Sequence, residues 1–229
     1  MRIAGKSILC FRSEMDMKGI VPVAAVFAAA VLSGCGPDGR KDAGMTERNG
    51  EVTMKGRPLT LAGELAQVGQ TAPDFVAVAN DLSEVRLSSF RGKVVLVSAV
   101  PSLDTGVCSL QTKRFNRAAA GLGDDVVILT ISMDLPFAQK RWCGAEGVAN
   151  LQTLSDHRDA SFGTAYGVLI KELRLLARSV FVVDRDGRIA YVQIVKELTE
   201  HPDYDAALAA VKNLTQTDRF SRPEGPARG

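Results

Sequence analysis

The chain has 229 residues, enough for one ordinary domain with extensions, and its 46 % apolar content suffices for a packed core. With 28 Lys and Arg against 26 Asp and Glu, the net charge of +2 gives no reason to expect nucleic acid as a partner. Only 2 histidines are present, and the 4 cysteines (Cys10, Cys35, Cys108, Cys143) form no Cys-x-x-Cys pair. No metal or cofactor is therefore expected, and a zinc ribbon, an ordinary dithiol oxidoreductase and a disulfide scaffold are all disfavoured.

Residues 1–34 read as an N-terminal extension and export signal. Lys18 precedes an apolar run at residues 20–32, rich in Ala and Val, which Leu32-Ser33-Gly34-Cys35 closes. A basic start, a short apolar stretch and small residues before a cut are the parts of a secretory signal. The run falls short of the roughly 20 apolar residues that span a bilayer. A cysteine directly after Leu-Ser-Gly resembles the lipobox of bacterial lipoproteins. That resemblance implies cleavage before Cys35, acyl chains on Cys35 and a membrane anchor; a buried helix ending in cysteine is the alternative. Residues 1–16 carry Arg2, Lys6 and Arg12 and push the signal away from the terminus, so Met17 is the expected start and Cys10 would lie outside the protein. Residues 35–50 are polar and Gly-rich, a flexible tether.

The folded domain is expected over residues 51–217. Residues 52–61 alternate around Lys55-Gly56-Arg57-Pro58, a β-hairpin with its turn. Residues 75–79 and 84–87 form a second extended pair around Asn80-Asp81, and residues 88–91 a turn of helix. Residues 94–100 and 126–132 are continuous apolar strands of the buried type, with residues 151–154 a third. Helices are expected at 109–120, at 136–143 with Phe137 and Lys140-Arg141 on opposite faces, at 160–166 closed by Gly167, and at 204–214 packing through Ala206, Ala207, Ala210 and Val211. Residues 179–184 and 188–195 are strands around Arg185-Asp186-Gly187, a strong hairpin signal. Residues 218–229 read as a disordered tail. Strands alternating with helices, then a hairpin and a helix, predict a three-layer α/β domain. His157 and His201 are expected at the surface.

The segment from Pro101 to Cys108 is the candidate site. It places a cysteine at the end of a polar turn, after a buried strand and before an amphipathic segment, and so at a helix N-terminus. Unpaired N–H groups and the helix dipole there favour the thiolate, which is the nucleophile. A buried, inert cysteine is the commoner fate of a lone Cys.

The pattern Pro101-x-x-x-Thr105-x-x-Cys108 resembles the active-site motif of the peroxiredoxins, and Ser102-Leu103-Asp104-Thr105-Gly106-Val107-Cys108 is similar to the bacterial thiol peroxidase branch, the atypical two-cysteine peroxiredoxins. The run from Asp134 through Trp142-Cys143-Gly144 to Gly147 resembles the surroundings of that branch's resolving cysteine. Lys55-Gly56, Leu59–Gly63, Gly69–Phe75, Leu176–Val182 and Pro202–Leu208 add to the likeness, which covers about residues 52–214. Residues 171–175 depart from the family's usual loop before the Arg178 strand. The resemblance implies a thioredoxin-like fold with an added N-terminal β-hairpin and a homodimer.

Its implications for chemistry are residue by residue. Cys108 would be the peroxidatic nucleophile, passing through a sulfenic acid, and Cys143 the resolving thiol that closes an intramolecular Cys108–Cys143 disulfide. Thr105 would hold the peroxide oxygens, or serve as an N-cap. Pro101 would shield the thiolate, or simply end the strand. Arg178, in an apolar context, would face the Cys108 thiolate and the peroxide, or pair with a carboxylate. Trp142 would pack beside Cys143. The implied activity is thiol-dependent reduction of hydrogen peroxide and organic hydroperoxides, recycled by a thioredoxin-like donor. A peroxide-sensing regulator using the same cysteine pair is the alternative, and a permanent structural disulfide a third reading. The lipobox points to an exported, membrane-anchored enzyme rather than a soluble periplasmic or cytoplasmic one, with lipid hydroperoxides as attractive substrates.

Overall fold

The computed structural model describes residues 45–221, all within the unit Ala43–Gly229. The readings of residues 1–34, of Cys35 as a lipidation site, of residues 35–44 as tether and of residues 222–229 as tail lie outside the described residues.

In chain order the elements are β1 (Glu47–Met54), β2 (Arg57–Ala62), β3 (Val76–Ala79), β4 (Glu84–Arg86), a 3-10 turn (Leu87–Phe90), β5 (Val94–Ala99), α1 (Gly106–Ala119), β6 (Val126–Ser132), α2 (Pro136–Glu146), β7 (Gln152–Ser155), α3 (Ser161–Ala165), β8 (Leu169–Ile170), β9 (Leu175–Leu176), β10 (Ser179–Val183), β11 (Ile189–Ile194) and α4 (Tyr204–Ser221). Seven strands form one sheet in the order β11-β10-β5-β6-β7-β3-β4, and four form a second in the order β1-β2-β8-β9. β5, β6 and β7 run parallel, while β10 lies antiparallel to β5.

The central strands are apolar throughout because both faces of the large sheet are covered. Side chains alternate between faces. Val95, Val97, Leu129, Ile131, Phe181 and Val183 pack with Phe162 and Tyr166 of the α3 region and with Leu59 and Leu61 of β2. Val94, Leu96, Ile128, Val180 and Val182 pack with Phe115 of α1 and with Tyr204, Ala207 and Val211 of α4. This is the three-layer arrangement expected from the alternation of strands and helices.

Several boundaries differ from the sequence reading. β1 begins at Glu47, four residues inside the segment read as tether. Arg48 holds it there, donating to the carbonyls of Gly63 (2.7 Å) and Gly167 (3.0 Å). A side chain at Gly167, whose φ is +66°, would run into the Glu64 carbonyl at 2.5 Å, so the docking requires glycine. The hairpin turns at Lys55-Gly56, both at positive φ (51° and 74°), as a type I′ turn does; Arg57 and Pro58 belong to β2. The β8–β9 hairpin leaves no mark in the sequence, since strands of two residues carry no periodicity to read. α4 extends to Ser221, into the segment read as tail. α2 runs on to Glu146 and buries Pro136, Gln139 and Trp142, whereas Phe137 is 67 % exposed, on the solvent side with Lys140 and Arg141. An i, i+3 series, not Phe137, marks its inner face. His157 is half-buried rather than at the surface, its Nδ1 within 2.8 Å of Ser155 Oγ; His201 is exposed.

Candidate active site

The fold brings Cys108 and Arg178 together through strand direction. β5 runs out at Ala99 into the turn that leads to α1. β10 is antiparallel to it, with Ser179 opposite Ala99, so the residue before β10 lands at the same end of the sheet. That residue is Arg178. α1 starts at Gly106, three residues before the start read from its amphipathic pattern, and Cys108 therefore lies within its first turn. Pro101 is buried in the turn between β5 and α1.

Cys108 is fully buried. Thr105 Oγ1 donates to its Sγ at 2.8 Å and lies 3.0 Å from the Ser102 carbonyl. Thr105 occupies the N-cap position but its side chain caps no backbone N–H. Its one hydroxyl proton can point at the sulfur, or turn to the Ser102 carbonyl and leave oxygen lone pairs facing the sulfur. The hydroxyl can thus donate or accept at the same place.

Arg178 is 2 % exposed. Its Nη2 donates to Cys108 Sγ at 3.3 Å and to the Leu198 carbonyl at 2.8 Å; Nε donates to the same carbonyl at 3.0 Å, and Nη1 to Gln111 Oε1 at 2.8 Å. Gln111 is fixed in turn by donating from Nε2 to Ser98 Oγ at 2.8 Å. Among the described residues no carboxylate pairs with Arg178, so the ion-pair alternative does not hold. Of the groups it touches, only the Cys108 thiol can become an anion, and a buried cation is costly without one.

Cys143 lies in the last turn of α2, not at a helix start, and is half-buried. It packs against the small apolar cluster of Val100, Leu103, Cys108, Trp142 and Val148, which covers the end of β5. Both thiols are free. Thus Cys108, Thr105 and Arg178 are in direct contact, Cys143 shares their cluster, and Pro101 lies in the turn that carries them.

Comparison with known proteins identifies the family. The Redoxin family profile matches residues 67–208. The thiol peroxidase of Bacillus subtilis is 56 % identical over 166 residues, covering 72 % of this chain and 99 % of the relative. That of Oceanobacillus iheyensis is 59 % identical over 158 residues, covering 69 % and 96 %. A solved peroxiredoxin-like protein from Aquifex aeolicus superposes with a TM-score of 0.68 at 44 % identity, over 74 % of this chain and 98 % of that one. The chain belongs to the thiol peroxidase family. Its three-layer domain is a thioredoxin-like peroxiredoxin fold.

Further residues shape this candidate site. Gln111 carries a signal, since it stands three residues after Cys108 and so on the same helix face. Asp134 accepts from Ser102 Oγ (2.7 Å), from the Leu103 N–H (2.8 Å) and from Ser132 Oγ (2.8 Å), pinning the active-site turn to the β6–α2 junction. The Leu198 carbonyl carries no signal at all, because any residue would supply it. Among the described residues, no group of three or more His, Cys, Asp or Glu stands where it could hold a metal ion.

Proposed function

We propose that this thiol peroxidase reduces hydrogen peroxide and organic hydroperoxides through Cys108, with Cys143 as resolving thiol and a thioredoxin-like protein as electron donor. The overall activity, thiol-dependent peroxide reduction, follows from family membership; the route is our reading. The observation that carries it is the convergence of the Thr105 hydroxyl and the Arg178 guanidinium on the buried Cys108 sulfur.

The Cys108 thiolate attacks the nearer peroxide oxygen. The S–O bond forms as the O–O bond breaks, and the leaving oxygen takes up from solvent a proton equivalent to the one the thiol released, departing as water or alcohol. Charge spreads over sulfur and both oxygens during this step, and fixed donors stabilise it without reorganising. Arg178 supplies N–H groups of full positive charge. Thr105 holds the oxygens in line with the sulfur. Pro101 lends a wall without a backbone donor. Cys143 then displaces hydroxide from the sulfenic acid to give a disulfide, which an external dithiol reduces back to two thiols.

A homodimer, export and a lipid anchor on Cys35 belong to the same reading. The family resemblance supports the homodimer; export and the anchor rest on Leu32-Ser33-Gly34-Cys35 alone, since a lipobox is unusual for the family. On a membrane face, lipid hydroperoxides become accessible substrates, and the reductant must be an exported one.

The test is steady-state turnover with a thioredoxin-type donor. Turnover is expected with the native chain and lost in Cys108→Ser; a chain oxidised once and never recycled would overturn the enzymatic route. Fatty-acid labelling that survives Cys35→Ser would remove the anchor.

A further inference from the structure

The resolving cysteine has a polar environment of its own. Cys143 Sγ lies 3.3 Å from Thr153 Oγ1, on the strand against which α2 packs. Thr153 is 4 % exposed. The pairing of Ala79 with Leu154 brings Asn80, the residue after β3, alongside Thr153, and Asn80 Nδ2 donates to Thr153 Oγ1 at 2.9 Å. That bond occupies one lone pair of the hydroxyl and leaves its proton and a second lone pair free to face the sulfur. The other neighbours of Cys143 in its cluster are apolar. Among the described residues, no cation reaches its sulfur.

We propose that Thr153 donates a hydrogen bond to Cys143 Sγ and stabilises the thiolate with which the resolving cysteine attacks, with Asn80 as the positioning residue that orients the hydroxyl. The inference rests on the reading of Cys143 as the resolving thiol. In the step concerned, the Cys143 thiol has given its proton to solvent. Its thiolate attacks the Cys108 sulfenic sulfur, the S–S bond forms and the S–O bond breaks. Hydroxide leaves and takes up a proton as water.

The two cysteines thereby divide their work. Cys108 has a cation and a hydroxyl and meets peroxide; Cys143 has a neutral hydroxyl alone and meets a sulfenic acid. A neutral hydrogen bond of ordinary strength changes a thiolate fraction about fivefold. A stabilised thiolate is intrinsically less nucleophilic, which returns about half of that gain on a logarithmic scale. Thr153 is thus expected to accelerate disulfide formation about two- to threefold.

The experiment uses the full chain with Thr153→Val, a substitution that suits a strand, beside Thr153→Ser and Asn80→Ala. In a Cys108→Ser background, the rate of Cys143 alkylation by iodoacetamide is followed against pH. The midpoint is expected to move upward in Thr153→Val, to move upward by less in Asn80→Ala, and to return in Thr153→Ser. With Cys108 present, stopped-flow mixing with peroxide should show unchanged sulfenic acid formation, slower disulfide closure and a larger share of the sulfinic product by mass. A midpoint that stays put overturns the proposal, as does one that moves downward, because the hydroxyl would then be accepting from the thiol. A midpoint that moves while disulfide closure keeps its rate sustains the hydrogen bond but removes it from the resolving step, which overturns the proposal; absence of any Cys108–Cys143 disulfide in the peroxide-treated native chain overturns the resolving role of Cys143 instead.

Discussion

At the scale of single residues, the site is one sulfur and the donors aimed at it. Arg178 binds the Leu198 carbonyl, Gln111 and Cys108 Sγ through three nitrogens at once. Lysine has no planar fork and cannot reproduce that set. Arg178→Met and Arg178→Lys are both expected to lower kcat/KM for peroxide about 100-fold or more, with the fold intact by circular dichroism; a variant within a few-fold of the native rate would remove the arginine from the reaction. Thr105→Val should fall similarly and Thr105→Ser should recover most of the rate, since only the hydroxyl is used. A different residue governs pH-dependent stability. Asp156 is buried, its carboxyl accepting from the N–H groups of Phe162 (3.0 Å) and Gly163 (2.8 Å), and burial pushes its pKa up from 3.8 to about 6. The folded state therefore holds this proton more tightly than the unfolded chain. Its contribution is most favourable below about pH 4, declines between about pH 4 and 6, and is flat above. The difference in urea stability between the native chain and Asp156→Asn should follow that curve, with an amplitude on the order of 3 kcal/mol; a difference constant across the interval would show that Asp156 titrates as it does in the unfolded chain.

At the scale of elements, the question is how a turn, a helix start and a strand start arrive at one point. The order of strand, turn, cysteine and helix is legible in the sequence, because a continuous apolar run and an amphipathic run differ in period. The start of α1 is not legible, since Gly106 and Val107 carry no helical signal and the first turn is held by its surroundings. Asp134 joins the elements: one carboxylate binds the Ser102 hydroxyl, the Leu103 N–H and Ser132 between the Cys108 turn and the Cys143 helix. Asp134→Ala leaves the Leu103 N–H and two hydroxyls without their acceptor. It is expected to cost about 2–3 kcal/mol in chemical denaturation and to slow peroxide reduction as the turn loosens. Unchanged stability would mean that water replaces the carboxylate. Lys113 and Glu146 make a further bridge between α1 and α2 at 2.8 Å; it is partly exposed and should matter little.

Across the whole molecule, the N-terminal hairpin is tied to the rest of the domain by the Arg48 contact with the Gly167 carbonyl and by Glu197, which follows β11 of the main sheet. The Glu197 carboxylate accepts from the N–H groups of Lys55 (2.9 Å) and Gly56 (3.1 Å) and from Thr53 Oγ1 (2.8 Å). These bonds, led by the Lys55 N–H, hold its pKa down at about 2, so its stabilising effect is present above the usual carboxylate range and is lost as pH falls toward about 2. Peroxide treatment of the intact chain is expected to give a monomer-mass species lighter by two hydrogens, with Cys108 and Cys143 in one linked tryptic pair; interchain pairs alone would refute the intramolecular bridge. The sequence by itself determined the layer order, through local periodicity, and the peroxiredoxin-like motif around Cys108. It offered Pro101, Thr105, Cys108, Cys143 and Arg178 as candidates through the resemblance those motifs carry. Only the tertiary structure decided that Arg178 has no carboxylate partner, that a backbone carbonyl and Gln111 aim it, that Asp134 joins the turn to α2, and that Thr153 faces Cys143. Each of those depends on strand order and register, which bring together residues far apart in the chain and leave no trace in the spacing of either.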